Sequence, residues 1–102
     1  MDQISERIAL NEALFKEVNR NILKTSAEGR YEEAHFICEC GELNCEAKIS
    51  LPVETYRRIR QEKRLFFVKP GHEIPKAERV LEHHESYSLV QKPLEAEPLL
   101  GD

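Results

Sequence analysis

A chain of 102 residues with 33% charged residues, no Trp and a net charge of −4 makes one domain with a modest core. The acidic balance argues against binding driven by wholesale phosphate neutralisation, and no apolar run approaches the ~20 residues that span a bilayer. The start, Met1-Asp2-Gln3-Ile4-Ser5-Glu6, has neither the basic nor the apolar region of a signal peptide. Three cysteines, an odd number, fit a reducing compartment, so the expected location is the cytoplasm, away from membranes.

Residues 1–24 read as an N-terminal amphipathic helix, helical from residue 4 and capped by Asp2 or Ser5. Ile4, Ile8, Asn11, Phe15, Val18 and Ile22 step alternately by four and three, an a/d-type stripe, and Leu10, Leu14 and Leu23 widen it. Glu6, Arg7, Glu12, Lys16, Glu17 and Arg20 fall off that stripe, with Glu12–Lys16 a helix-stabilising i,i+4 pair. The stripe suits either the covering of a sheet or a seam with a protein partner or a second copy, in which Asn11 would fix register. Thr25-Ser26-Ala27-Glu28-Gly29-Arg30 is a breaker, with Gly29 a candidate C-cap, leading into a compact domain over residues 31–92.

That domain opens on strand signals at Tyr31–Cys38 and, after a cysteine-bearing turn, at Ala47–Leu51, whose apolar–polar alternation marks a half-buried strand. Pro52 then favours a helix start, and a short helix over 52–62 would bury Val53, Tyr56 and Ile59. Leu65–Val68 reads as a buried strand ended by a type II turn at Lys69-Pro70-Gly71. Two more strands follow at Glu78–His83 and Tyr87–Lys92, and the Pro-containing acidic stretch 93–102 reads as a disordered tail. The fold class is α+β: a long N-terminal helix, a small antiparallel sheet of four or five strands, one short helix and a metal knuckle.

The knuckle is Cys38-Glu39-Cys40 with Cys45 beyond a turn, answered by His72 on the Pro70-Gly71 turn. Residues two apart on an extended chain share a face, Gly41 permits the return of Cys45, and three thiolates with an imidazole make a tetrahedral Zn2+ set. Buried inert thiols, a Cys38–Cys45 redox pair and an iron–sulfur cluster are the competing readings. His35, His83 and His84 compete with His72 as fourth ligand, and Glu73 is a candidate acceptor for the imidazole. A complete set of four protein ligands leaves no open position, and no nucleophile–base pair, phosphate loop or HExxH helix is present, so an enzyme is not expected.

These same residues carry a resemblance. Phe36-Ile37-Cys38-Glu39-Cys40 with Cys45, Thr55-Tyr56 with Ile59-Arg60, Pro70-Gly71-His72-Glu73 and Glu78-Arg79-Val80 are similar to a family of short bacterial proteins without an assigned activity. Asn11-Glu12-Ala13, Phe15 and Glu17-Val18-Asn19 resemble that family's first helix, so the likeness runs from about residue 8 to residue 92. It implies that the cysteines and His72 form one site, and implies no reaction.

Three functions are consistent with these features. The first is a zinc-stabilised regulatory or adaptor module working through protein contacts of the Ile4, Ile8, Asn11, Phe15, Val18 and Ile22 face. The second is nucleic-acid binding by the basic 57–69 stretch, through Arg57, Arg58, Arg60, Lys63 and Arg64; the plainer alternative is a solvated helix face balanced by Glu54 and Glu62. The third is a thiol redox or metal sensor that loosens when its thiolates are oxidised.

Overall fold

Asp2 begins the first helix as its cap, with Oδ1 accepting the Ser5 N–H at 2.7 Å. The computed structural model describes residues 2–28 and 32–100. Helix α1 (Gln3–Glu28) runs past residue 24, through Thr25–Glu28, where the sequence predicts a breaker. The Thr25 hydroxyl donates back to the Asn21 carbonyl at 3.3 Å, which accommodates its side chain inside the helix. Gly29, Arg30 and Tyr31, the expected cap, linker and strand start, lie outside the described residues.

β1 (Glu33–Ile37) and β2 (Lys48–Pro52) form an antiparallel hairpin in which Phe36 faces Ile49. Alternation buries Ala34 and Phe36 from one strand and Ile49 and Leu51 from the other. Pro52 closes β2 and opens α2 (Val53–Arg60), whose Val53, Tyr56 and Ile59 are buried as their spacing predicts. β3 (Leu65–Val68), β4 (Arg79–His83) and β5 (Ser88–Gln91) form a second antiparallel sheet in the order β3-β5-β4. The fold is α+β, with five strands among the described residues, divided into two sheets of two and three strands. The sheets meet through aromatic packing: Phe36 stacks on Tyr56 at 4.5 Å, and both rings meet Phe67 edge-on at 5.8 and 6.0 Å.

The stretch after Pro93 corrects the expectation of a disordered tail. Leu94–Leu99 is a 3-10 helix, packed against α1, with Ala96 and Leu100 wholly buried. Its proline and acidic content imitates a disordered composition, but its small and apolar residues are spaced to anchor it.

α1 also packs differently from its apolar pattern. Among its described side chains it buries Ala9, Glu12, Lys16 and Asn19, three of them polar, while Leu10, Leu14 and Val18 are 50%, 56% and 39% exposed. Burial of these polar side chains is sustained by partners on other elements. Lys92 Nζ lies 2.5 Å from Glu12 Oε1 and 3.0 Å from Glu78 Oε1, and donates to the Ala77 carbonyl. Lys16 Nζ donates to the carbonyls of Lys63 and Leu100. The Asn19 amide bonds Ile37 in both directions, donating to its carbonyl at 3.0 Å and accepting its N–H at 2.8 Å, so it satisfies the edge of β1 that faces away from β2. Burial pushes the Glu12 carboxyl up to about 9, and pulls the Lys16 ammonium down to about 8. The helix is therefore wedged into the domain by charge and amide contacts.

Candidate metal centre

The hairpin carries the cysteines at its open end. Cys38 N–H donates to the Ala47 carbonyl at 3.0 Å, which extends the β1–β2 pairing to the first cysteine. Cys38 and Cys40, both buried, then face the same way, and Glu39 between them points into the core. Gly41 turns the chain with φ 81°, and Cys45 N–H donates to the Glu42 carbonyl at 3.0 Å, closing the return. On the other side, β3 ends in the turn Lys69–His72, closed by His72 N–H to Lys69 carbonyl at 2.9 Å, with Gly71 at φ 94°. This is the type II geometry that Pro70-Gly71 predicts.

The two turns meet. The sulfurs of Cys38, Cys40 and Cys45 and the imidazole of His72 all lie within 4.8 Å of one another. His72 presents Nδ1, 3.7 Å from Cys38 Sγ and 3.5 Å from Cys45 Sγ. All three cysteines are free, with no disulfide among them. The Lys69 N–H donates to Cys38 Sγ at 3.2 Å, a bond that favours the thiolate and ties the histidine-bearing turn to the cysteine turn. The thiols also act on one another. Cys40 is pulled down to about 5, first because its thiolate accepts from the Cys38 thiol. Cys38 is raised correspondingly, by its hydrogen bond to Cys40 and then by burial. One sulfur ionises readily at the expense of its neighbour, and a cation is what allows all of them to ionise together. The four residues thus make a donor set that could hold a metal ion.

The competing histidines are engaged elsewhere. His35 lies on the exposed face of β1 and hydrogen-bonds Ser50 at 2.7 Å. His83 lies 4.0 Å from Glu73 and 3.5 Å from the Ser88 hydroxyl, and His84 pairs with Glu82 at 2.6 Å and stacks on Tyr87. Glu73, expected as an acceptor for the His72 ring, instead takes the Gly71 N–H at 2.9 Å.

Two contacts that support the site, made by Glu39 and by Gly41, are not foreseen from the sequence. Glu39 is wholly buried and accepts from Arg60 at 2.8 and 2.6 Å, from Asn19 at 2.8 Å and from the Phe67 N–H at 3.3 Å, so it joins α1, α2 and β3 beneath the cysteines. Gly41 is the second. A Cβ there would sit 2.9 Å from Ile8 Cγ2 and 3.0 Å from the Ile8 carbonyl oxygen, so the turn lies directly on α1. A glutamate between two cysteines and a glycine after them were visible signals, but nothing local names their partners.

The remaining expected site residues divide. Asn11 spends its amide on the Gly41 carbonyl at 3.0 Å, fastening the cysteine turn and not facing outward as a register residue would. Ile8, Phe15 and Ile22 are half-buried, whereas Ile4 and Val18 are exposed, so the expected partner stripe is not one surface. Arg60 is withdrawn from the basic face by Glu39 and lies over the rings of Tyr56, Phe66 and Phe67. Arg57 and Arg58 remain exposed on α2, and Lys63 and Arg64 are half-buried. Among the described residues no helix is long and apolar enough to cross a membrane. Comparison with protein-family models, curated proteins and solved structures gives no match, so the site is read from its own residues.

Proposed function

We propose that this chain is a small zinc-braced module that acts through protein contacts, its metal structural and not catalytic. The observation that carries the reading is the spacing of the donors. A tetrahedral zinc with Zn–S of about 2.3 Å and Zn–N of about 2.05 Å requires S···N edges of about 3.6 Å. The Cys38–His72 and Cys45–His72 separations of 3.7 and 3.5 Å match that edge. Three thiolates with one imidazole favour zinc over the hard cations, which select oxygen ligands. Cys38, Cys40, Cys45 and His72 would hold the ion, and when bound it supplies a crosslink between the hairpin and the β3 turn. With four protein ligands no coordination position is left for water or substrate.

A crosslink of this kind matters in a domain whose core is small and whose first helix is seated on buried charge. Free thiols at the site suit a reducing compartment such as the cytoplasm. The test is elemental analysis of the purified chain. One zinc per chain is expected, with loss of the metal in Cys38→Ser and His72→Ala and retention in His35→Ala and His83→Ala. A chain that carries no stoichiometric metal, or keeps it without Cys38, refutes the reading.

A further inference from the structure

We infer that the outer face of α1 is a self-complementary antiparallel seam that binds a second copy of this chain. The inference deepens the contact reading above by naming the partner. At ~100° per residue, Leu14 projects about 180° from the centre of the buried stripe Ala9, Glu12, Lys16 and Asn19. It therefore stands at the crest of the exposed side, 56% exposed, beside Leu10 at 50%.

The exposed residues on this crest are Gln3, Arg7, Leu10, Leu14, Glu17 and Asn21, spaced alternately by four and three. That is a second a/d-type seam, distinct from the stripe through Asn11 and Phe15. It reads as a palindrome of chemical character about its centre. An antiparallel twofold placed between Leu10 and Leu14 sets Leu10 against Leu14 of the copy, Arg7 against Glu17 and Gln3 against Asn21. Each contact occurs twice, as an isologous interface requires. The apolar pair lies innermost, opposite charges flank it and amides close the ends, which is the order of apolar centre and polar rim that protein interfaces show. A parallel pairing would instead put Arg7 on Arg7 and Glu17 on Glu17, so charge selects the antiparallel arrangement. Glu17 is engaged within its own helix by Arg20 at 2.7 Å, an exposed pair that costs little to rearrange. Exposed Ile4 and Val18 border the seam and add apolar area on one flank.

The test is sedimentation equilibrium of the full metal-loaded chain between about 1 and 100 µM, a range that brackets an association of micromolar strength. The expected result is a concentration-dependent rise toward twice the 11.9 kDa chain mass. Leu14→Asp should remain a monomer. Arg7→Glu and Glu17→Arg alone should each weaken self-association by about tenfold or more, because like charges then meet twice. An equimolar mixture of the two variants restores both opposite-charge contacts and should associate as well as the wild type. A metal-loaded, folded wild type that stays monomeric throughout overturns the seam, and a mixture no better than its components overturns the register. Metal content measured on the same samples keeps this separate from the zinc reading: a dimer without metal would refute the brace and leave the seam standing.

Discussion

Glu39 is the residue whose loss should be felt most. Glu39→Ala removes the carboxylate from a site where its side chain is fully buried and that of Arg60 is 12% exposed. It leaves a buried guanidinium without a counter-charge, takes one of the two acceptors of the Asn19 amide and leaves the Phe67 N–H without its carboxylate acceptor. Breaking a buried pair by removing one partner costs about 3–5 kcal/mol, a large share of the ~5–15 kcal/mol that holds a domain folded. For a chain of this size the unfolding temperature should fall by roughly 15 °C or more. Thermal and urea unfolding of the purified protein read the effect directly. The double variant Glu39→Gln/Arg60→Met removes both charges and keeps an oxygen for Asn19 and Phe67, so it should lose less than half as much. A loss under about 1 kcal/mol in Glu39→Ala, the size of an exposed ion pair, would refute the claim that this carboxylate anchors three elements.

The two positive-φ glycines should respond unequally to alanine. Gly71→Ala meets nothing within 4 Å and should cost only the left-handed strain of about 1–2 kcal/mol, whereas Gly41→Ala adds collisions with Ile8 and should cost clearly more; equal losses in urea unfolding would contradict the seating of the turn on α1. Glu12, whose folded-state value is raised from 4.5 to about 9, binds a proton in the folded chain that the unfolded chain has already released. Stability from this group is therefore lost as pH rises from about 4.5 towards 9, at up to about 1.4 kcal/mol per pH unit. Lys16, lowered from 10.5 to about 8, acts with the opposite sign and only above pH 8. The stability of Glu12→Gln relative to wild type should thus climb between pH 5.5 and 7.5 in paired unfolding curves; a flat difference would show that Glu12 is ionised in the fold. Chelation of the metal should separate the hairpin turn from the β3 turn, visible as faster amide exchange at Cys38 and Lys69, while unchanged exchange at both would deny the crosslink a structural role.

Much of the site was legible because its chemistry is local. Three cysteines within eight residues, a glycine able to turn between them and a histidine on a Pro-Gly bend are all written in short stretches, and the structure brings them within 4.8 Å. Strand alternation at Ala47–Leu51 and three-residue spacing over 52–62 are likewise short-range patterns, and they formed within a residue or two of those bounds, as Lys48–Pro52 and Val53–Arg60. The packing of α1 was not legible. Glu12 and Lys16 look like a solvated i,i+4 pair, and only the arrival of Lys92, Glu78 and the Leu100 carbonyl from the far end of the chain makes their burial tolerable. Once the polar stripe turns inward, Leu10 and Leu14 must turn outward, so one long-range contact set reverses the meaning of the whole helix. Arg60 was misread for the same reason, since its partner Glu39 lies on another element. The 3-10 segment after Pro93 was missed because Ala96 and Leu100 find their cavities only on α1 and the core.

Zinc K-edge X-ray absorption of the purified chain is the sharpest test of the closed four-ligand zinc site proposed for the two turns. Three sulfurs at about 2.3 Å and one imidazole nitrogen at about 2.0–2.1 Å, with no oxygen ligand, are expected. A first shell containing water or carboxylate oxygen, or fewer than three sulfurs, would contradict it.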